Sequence, residues 1–157
     1  AYYYQYSTRG KRAAEIIVRN YKEIYPDPSK VRALATTKLA EVTKTNAPAV
    51  LLETAYHDNV QDVEWLKSNL SVIAANLVKS LTEYFGIPFI TPPQPERAGT
   101  VSTAGGNLNL RSFPSLDGPI IAQIPNGSPV TVYGEWDGWY VTGYNGSVGY
   151  ASARYIE

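Results

Sequence analysis

A proline-rich segment constrains the folding of this chain more than any other feature. Four prolines lie between Ile87 and Arg97. Such a run disfavours both helix and central strand, because proline fixes φ and lacks an amide proton. The residues before it alternate between helix-like and strand-like patterns, whereas those after it are rich in glycine and turn dipeptides. We therefore predict two domains, residues 1–90 and 98–157, joined by a stiff linker over residues 91–97.

The N-terminal domain begins with a strand–helix pattern. Aromatic residues favour a strand over residues 1–6, and Ser7 or Thr8 can cap the helix that follows. Apolar residues then recur at helical spacing from Ala14 to Tyr25. The pattern of residues 31–46 does not separate helix from strand, although residues 39–43 can be extended.

A second strand and helix complete the N-terminal pattern. The short apolar run at residues 48–52 is typical of a strand buried on both faces of a parallel sheet. Asn59 can cap the next helix, whose single apolar stripe runs from Val63 to Phe85 and ends at Gly86. The predicted class is therefore α/β, with a parallel-type sheet and helices.

The C-terminal domain has the pattern of a small all-β barrel. Its strand-length runs include residues 120–124, 130–133 and 139–144. Turn dipeptides separate such runs at short intervals: Asn126-Gly127, Asp137-Gly138 and Asn145-Gly146. Short strands over about 60 residues indicate a small barrel.

Composition excludes several classes of protein. A net charge of zero argues against nucleic acid as a partner, and no apolar run is long enough to span a membrane. The chain has no Cys, so it has neither disulfides nor thiolate metal sites, which fits an exported protein. It also has no Met, so we expect a processed or truncated chain. With a single histidine, it cannot supply a multi-histidine zinc site.

Glu53 is the candidate catalytic residue. It directly follows the apolar run, and ligands bind beyond the carboxyl ends of strands in open α/β sheets. A half-buried carboxylate there is suited to general acid–base chemistry. The alternative is an exposed glutamate that binds loop amides. His57 can be a ligand, a proton shuttle or a histidine that bonds within its own loop, whereas Asp58 and Asn59 are typical turn and cap residues.

The segment around Glu53 resembles the C-terminal signature of zinc-dependent N-acetylmuramoyl-L-alanine amidases. The matching residues are Pro48-Ala-Val-Leu-Leu-Glu-Thr-Ala-Tyr-His-Asp-Asn59, followed by Asp62 and Trp65-Leu66. The stretch Tyr2-Tyr-Tyr4, with Ser7 and residues 11–14, is similar to the strand and helix after the last zinc ligand of that family. The resemblance covers about residues 1–90.

The resemblance implies peptidoglycan hydrolysis. Enzymes of this family cleave the amide between the lactyl group of N-acetylmuramic acid and L-Ala of the stem peptide. Zinc, held by two His and one Glu, activates water, and a second Glu, matched here by Glu53, acts as general base and then proton donor. The family's Gly-His-Gly and Ser-x-His-x-Asn ligand segments do not occur in this sequence, and His57 matches no ligand. We therefore expect zinc only in an intact enzyme, and no catalysis by this chain alone.

Residues 98–157 resemble bacterial SH3 domains. The matching residues are Leu108-Asn-Leu-Arg111 with Pro114, Gly127 with Val130, Gly138-Trp-Tyr140, Gly149-Tyr150 and Tyr155-Ile156. Such domains bind peptidoglycan and accompany wall hydrolases, so the resemblance implies a wall-binding partner domain. We expect Trp139 in the core and Trp136, Tyr133 and Tyr144 as candidate surface aromatics.

Three functional hypotheses follow from these patterns. The chain is part of an amidase whose zinc-ligand half is missing or is a separate chain, or it is a non-catalytic peptidoglycan-binding module, or it is a regulator built on an amidase remnant. All three place it as a secreted or wall-bound protein. A phage endolysin, an autolysin and a sporulation hydrolase remain open as its source.

Overall fold

The computed structural model describes residues 1–90 and 94–157, which form two compact units, Ala1–Phe89 (unit 1) and Ile90–Glu157 (unit 2). Residues 91–93 of the predicted linker lie outside the described residues. Within unit 2, Gln94 accepts a hydrogen bond from the backbone amide of Glu135 at 2.8 Å, and a strand begins at Arg97. The domain boundaries inferred from the sequence remain predictions.

Unit 1 combines four helices with a small sheet, which confirms the α/β class. Its elements in chain order are β1 (Tyr2–Tyr4), α1 (Thr8–Tyr21), β2 (Leu34–Thr36), α2 (Ala40–Thr43), β3 (Val50–Leu51), α3 (Val60–Ser68) and α4 (Leu70–Phe85). A 3₁₀ turn at Pro28–Lys30 precedes β2. Ser7 caps α1 as predicted, because its hydroxyl accepts a hydrogen bond from the amide of Gly10 at 3.0 Å.

The sheet of unit 1 has the order β2-β1-β3 and is mixed. Strands β1 and β2 are parallel, but β3 runs antiparallel to β1, with Tyr2 opposite Leu51. The expectation that β3 lies in a parallel sheet and is buried on both faces is therefore wrong, since both of its residues are half-buried. An apolar run specifies burial of a strand but not its direction.

Two further details differ from the sequence prediction. Residues 40–43 form a short helix rather than an extended segment, which fits the helix propensity of Ala40 and Glu41. The single helix expected after Asn59 is two helices that meet at Asn69. The side-chain amide of Asn69 donates to the carbonyl of Trp65 at 2.8 Å, and this local bond competes with continuation of the helix.

Helices α1 and α4 pack through a mixed apolar and polar interface. Among the buried residues of α1 are Ala14, Ile17 and Val18. Beside them lie three buried polar residues: Asn20, Asn76 and Ser80. The side-chain amide of Asn20 donates to the Ser80 hydroxyl at 3.0 Å, and that hydroxyl donates to the backbone carbonyl of Asn76 at 2.8 Å. The side-chain amide of Asn76 in turn donates to the backbone carbonyl of Asn20 at 2.9 Å. These bonds pair most of the buried polar groups, although the side-chain oxygen of Asn76 has no partner among the described residues.

Ion pairs flank this interface. Lys79 Nζ lies 2.8 Å from Glu23 Oε2, and Glu83 pairs with Arg19. Both charged side chains of α4 thus turn toward the N-terminal helix and the segment after it. The outward side of α4 is apolar and exposed, at Leu70, Val78, Leu81 and Phe85. We call these four residues the outer face of α4.

Unit 2 is all-β, as the sequence predicts, and its strands form a six-stranded antiparallel sheet. Its strands are β4 (Arg97–Thr100), β5 (Leu108–Arg111), β6 (Ile120–Ile124), β7 (Pro129–Trp136), β8 (Trp139–Tyr144) and β9 (Ser147–Ser152), in the order β4-β7-β8-β9-β5-β6. The sheet curls around one core: Val101, Leu108, Leu110, Ile124, Val130, Val132, Ala151 and Ile156.

Tight turns set the register of the β7–β8 and β8–β9 hairpins. Asp137 and Gly138 both have positive φ, at 46° and 76°, and Asn145 and Gly146 match them at 47° and 77°. Two consecutive residues with positive φ form the type I′ turn that Asp-Gly and Asn-Gly favour. In the described part of the chain, no helix is both long enough and apolar enough to cross a membrane.

Candidate functional site

A pocket of about 430 Å³ lies at one edge of the unit 1 sheet. The register places Leu34, Tyr2 and Leu51 in one row across the three strands. Glu53 follows this row by two residues on the β3 side and lines the pocket. Because β3 ends there, the chain turns away into the loop before α3 and leaves the carboxylate at the mouth.

Glu53 is exposed, not half-buried as predicted from the sequence. Strand β3 is only two residues long and the chain is already irregular from Leu52 onward, so the strand end does not bury the side chain. The loop residues Thr54, Ala55 and Tyr56 also line the pocket. The carboxylate therefore faces a space that water and a substrate can enter.

Hydrogen bonds from α1 and α3 hold the loop that follows Glu53. Tyr21 donates its hydroxyl to the Thr54 carbonyl at 3.1 Å. Asp62 accepts two bonds, one from the Tyr25 hydroxyl at 2.7 Å and one from the Tyr56 amide at 3.0 Å. The position of Glu53 is thus connected through its neighbours to two helices.

The tyrosines of this network form part of an aromatic cluster. The rings of Tyr21 and Tyr25 stack at 6.0 Å, and Trp65 meets each ring edge-on, at 6.0 and 5.0 Å. Such geometry adds to the area buried between the rings. The cluster therefore orients the Tyr21 hydroxyl toward the Glu53 loop and the Tyr25 hydroxyl toward Asp62.

Burial and the Asp62 charge alter titration within the network. Burial first, and then the charge of Asp62, raise the pKa of Tyr21 to about 12. The hydrogen bond to Asp62 is the main cause that raises the pKa of Tyr25, also to about 12. The bonds that Asp62 accepts from the Tyr56 amide and from Tyr25 hold the pKa of Asp62 below its usual value. The network therefore keeps both phenols protonated and the carboxylate ionised at neutral pH.

The other loop residues occupy ordinary loop positions. His57 and Asp58 are exposed in a turn, and Asn59 caps α3 as predicted by accepting a bond from the Asp62 amide at 3.1 Å. Within residues 1–90 and 94–157, no group of three or more His, Cys, Asp or Glu side chains is arranged to hold a metal ion. The residues described here therefore do not fit a zinc site.

Unit 2 carries a separate shallow groove of about 610 Å³ beside the β8–β9 turn. Tyr133 lies in a β-bulge of β7, where the pairing shifts between Val132 and Gly134. Its ring rests against the backbone of Gly143, since a Cβ placed there would lie 2.9 Å from the ring. A bulge re-aims a side chain, and here it turns a tyrosine toward the groove.

The aromatic residues singled out from the sequence divide in two. Tyr133 and Trp136 are exposed, as expected for surface aromatics. Tyr144 is half-buried against the core of unit 2, although it also lines the groove. The expectation of a core Trp139 is wrong, because Trp139 is half-buried and pairs across the hairpin with Trp136.

Several site residues escaped sequence reasoning. In the sequence, Tyr21 and Tyr25 fall within the apolar stripe that ends at Tyr25, and Asp62 belongs to the stretch that resembles the amidase signature. The available signal was chemical: tyrosine on a core-facing stripe needs a partner for its hydroxyl. Arg32, which lines the pocket, lies in residues 31–46, whose pattern does not separate helix from strand, and Lys30 directly precedes that segment.

Comparisons with known proteins give two family matches. The family model described as N-acetylmuramoyl-L-alanine amidase matches residues 1–83, and the model described as bacterial SH3 domain matches residues 106–157. The comparison with curated proteins finds no match. Among solved structures, NlpC2 and NlpC1 from Trichomonas vaginalis are similar, each at 26% identity and a TM-score of 0.37 over 40% of this chain. The chain spans 23% and 22% of their respective lengths.

Proposed function

Because the chain belongs to the N-acetylmuramoyl-L-alanine amidase family, a family of peptidoglycan hydrolases, we propose that it forms part of an enzyme that cleaves the lactyl–L-Ala amide of peptidoglycan. The observation that carries this proposal is the placement of Glu53. Its exposed carboxylate lies at a strand end, in a pocket of about 430 Å³, beside a loop held by Tyr21 and Asp62. This is the arrangement that a general base needs to reach water next to a bound amide.

In the proposed reaction, Glu53 first accepts a proton and then donates it. Its carboxylate accepts a proton from the water that attacks the lactyl carbonyl, and a C–O bond forms. The resulting carboxyl group donates that proton to the nitrogen of L-Ala as the C–N bond breaks. The second proton of the water passes from the new lactyl carboxyl group to the freed amine, so the products are a lactyl carboxylate and a peptide ammonium group, and Glu53 returns to its ionised form.

Zinc in the intact enzyme stays part of the proposal. When bound, zinc would supply Lewis-acid activation of the carbonyl and of water. The described residues do not fit such a site, so we derive no step through the metal for this chain. The proposed enzyme therefore needs ligands from residues that this chain does not contain.

The exposed apolar residues of the outer face of α4 are a candidate contact surface for another part of the protein. Its four apolar side chains are each between 49% and 61% exposed. A contiguous apolar surface of this kind marks an interaction site more often than free surface. We propose that the zinc-ligand half of the amidase domain, on the same or another chain, covers it.

The test is Glu53→Gln in an enzyme that joins this chain to a zinc-ligand half. Glutamine keeps the shape of the side chain but cannot accept the proton, so we expect turnover of purified peptidoglycan to fall at least about a hundredfold. Zinc content should stay the same. Glu64→Gln is the matched control, because Glu64 is an exposed acid on α3 outside the pocket. Near-normal turnover of Glu53→Gln would refute the assignment.

The second candidate function is attachment to the wall without catalysis. It rests on the bacterial SH3 match of residues 106–157 and on the groove that Tyr133 and Tyr144 line. Both families fit a role at the cell wall or outside the cell, and we propose a secreted, wall-bound protein. This chain should then sediment with insoluble peptidoglycan, and Tyr133→Ala should weaken that retention while Tyr6→Ala, in unit 1, should not. If neither variant changes the retention, the groove is not the site that binds peptidoglycan.

A further inference from the structure

We propose that Arg32 gives the unit 1 pocket a preference for stem peptides with a free carboxylate two to three residues beyond the scissile bond. This inference rests on the proposed amidase function, because it takes Glu53 as the point where the amide is cleaved. It goes further by assigning the chemical form of the substrate that the pocket selects.

The sheet register sets the distance between Arg32 and Glu53. Arg32 precedes Leu34 by two residues on the β2 side, and Glu53 follows Leu51 by two on the β3 side. Both residues therefore extend past the same edge of the sheet, on strands separated only by β1. Neighbouring strands lie about 4.8 Å apart, so the two backbones are roughly 10 Å apart. Both residues line the same pocket.

The charges around the pocket leave Arg32 available. The charged side chains of the pocket are two acids, Glu53 and Asp62, and two bases, Lys30 and Arg32. Ala1, whose ammonium group interacts with the charge of Glu53, also lines it. Lys30 Nζ lies 3.6 Å from Asp27, and its charge also acts on Asp62. No ion pair in the described part of the chain involves Arg32, which is exposed. Its planar guanidinium can bind a carboxylate with two parallel hydrogen bonds.

The reach of a peptide matches this separation. An extended peptide spans about 3.3–3.6 Å per residue, so two to three residues cover about 7–11 Å. A substrate with its scissile carbonyl at Glu53 therefore brings the second or third residue of its stem to Arg32. An acidic residue there gains a charge-assisted bond, whereas its amidated counterpart does not.

The experiment compares two synthetic peptides bound to the full chain. One is N-lactoyl-Ala-isoGlu-Lys-NH2 and the other is N-lactoyl-Ala-isoGln-Lys-NH2; the C-terminal Lys is amidated in both, so the only free carboxylate in the pair is that of isoGlu. Dissociation constants come from NMR titration of the backbone amides that line the pocket, at low salt. We expect the acid to bind about tenfold more tightly than the amide, the usual scale for a hydrogen bond to a charged group. Arg32→Gln should bring the ratio to about one without changing the affinity for the amide.

Lys38→Gln is the matched control, because Lys38 is exposed, carries the same charge and lies outside the pocket. It should keep the preference for the acid. Equal binding of the two peptides by the wild-type chain would overturn the inference and leave the proposed hydrolysis standing, since the Glu53→Gln test does not depend on it. If neither peptide shifts the pocket amides, both the inference and the assignment of this pocket to the substrate are wrong.

Discussion

Tyr21→Phe tests whether the Tyr21 hydroxyl holds the loop after Glu53. Phenylalanine keeps the ring contacts to Tyr25 and Trp65, both at 6.0 Å, but removes the bond donated to the Thr54 carbonyl at 3.1 Å. One intramolecular hydrogen bond contributes about 1 kcal/mol net. We therefore expect the free energy of unfolding of unit 1 to fall by about 1 kcal/mol at pH 7.

The same substitution should change the response to alkali. The pKa of Tyr21 is raised from 10.0 to about 12, mainly by burial. The stabilisation linked to this rise is complete below pH 10 and is lost as the pH rises toward 12. Without screening it corresponds to about 2.7 kcal/mol. Solvent in the open pocket reduces this figure, so we expect a loss on the order of 1 kcal/mol by pH 11. Because Phe cannot titrate, the stabilities of the wild type and the variant should converge there.

The assay is urea unfolding of the full chain at pH 7 and pH 11. Backbone amide signals from α1 report on unit 1 without interference from unit 2. Tyr6→Phe is the control, because Tyr6 is 72% exposed and should leave both values unchanged. Equal stability of wild type and Tyr21→Phe at pH 7, or a difference that stays constant up to pH 11, would refute the reasoning.

Three other substitutions test separate parts of the structure. Asp62→Asn should make the stability of unit 1 depend less on pH in acid. The lowered pKa of Asp62 adds stability above about pH 3.8, and this stability is lost as the pH falls further. Urea midpoints measured from pH 6 to pH 2 test this. Ser80→Ala should lower the unfolding free energy of unit 1 by about 1 kcal/mol, because it removes the bond from Asn20, and a normal urea midpoint would contradict this. Gly143→Ala should displace the Tyr133 ring, so sedimentation with peptidoglycan should weaken while calorimetry shows a folded unit 2.

Local signals accounted for most of the elements that the sequence predicts. The predicted strands at residues 120–124 and 139–144 coincide with β6 and β8, since alternation and Asp-Gly or Asn-Gly turns act over a few residues. Ser7 likewise caps α1 by reaching only three residues ahead. The class of each unit follows from such local patterns.

Features that depend on distant residues were not predictable in this way. The direction of β3 depends on its pairing with β1, which lies about fifty residues earlier in the chain. The exposure of Glu53 depends on how little of unit 1 covers the strand end. The bonds from Tyr21 to the Glu53 loop and from Tyr25 to Asp62 on α3 join residues more than thirty positions apart. A sequence pattern identifies these residues but does not predict which of them contact each other in the fold.

The two ion pairs between the α1 region and α4 favour one axial alignment of these helices. Glu23 faces Lys79 and Arg19 faces Glu83, so charges one turn apart alternate in sign along each partner. A slip of one turn in one direction would place Lys79 beside Arg19, and in the other it would place Glu83 beside Glu23. Each exposed pair adds little to stability, but both misaligned arrangements set like charges against each other. The alternation therefore favours one alignment of the two helices, and that alignment places Tyr21, on α1, within hydrogen-bond distance of the loop that carries Glu53.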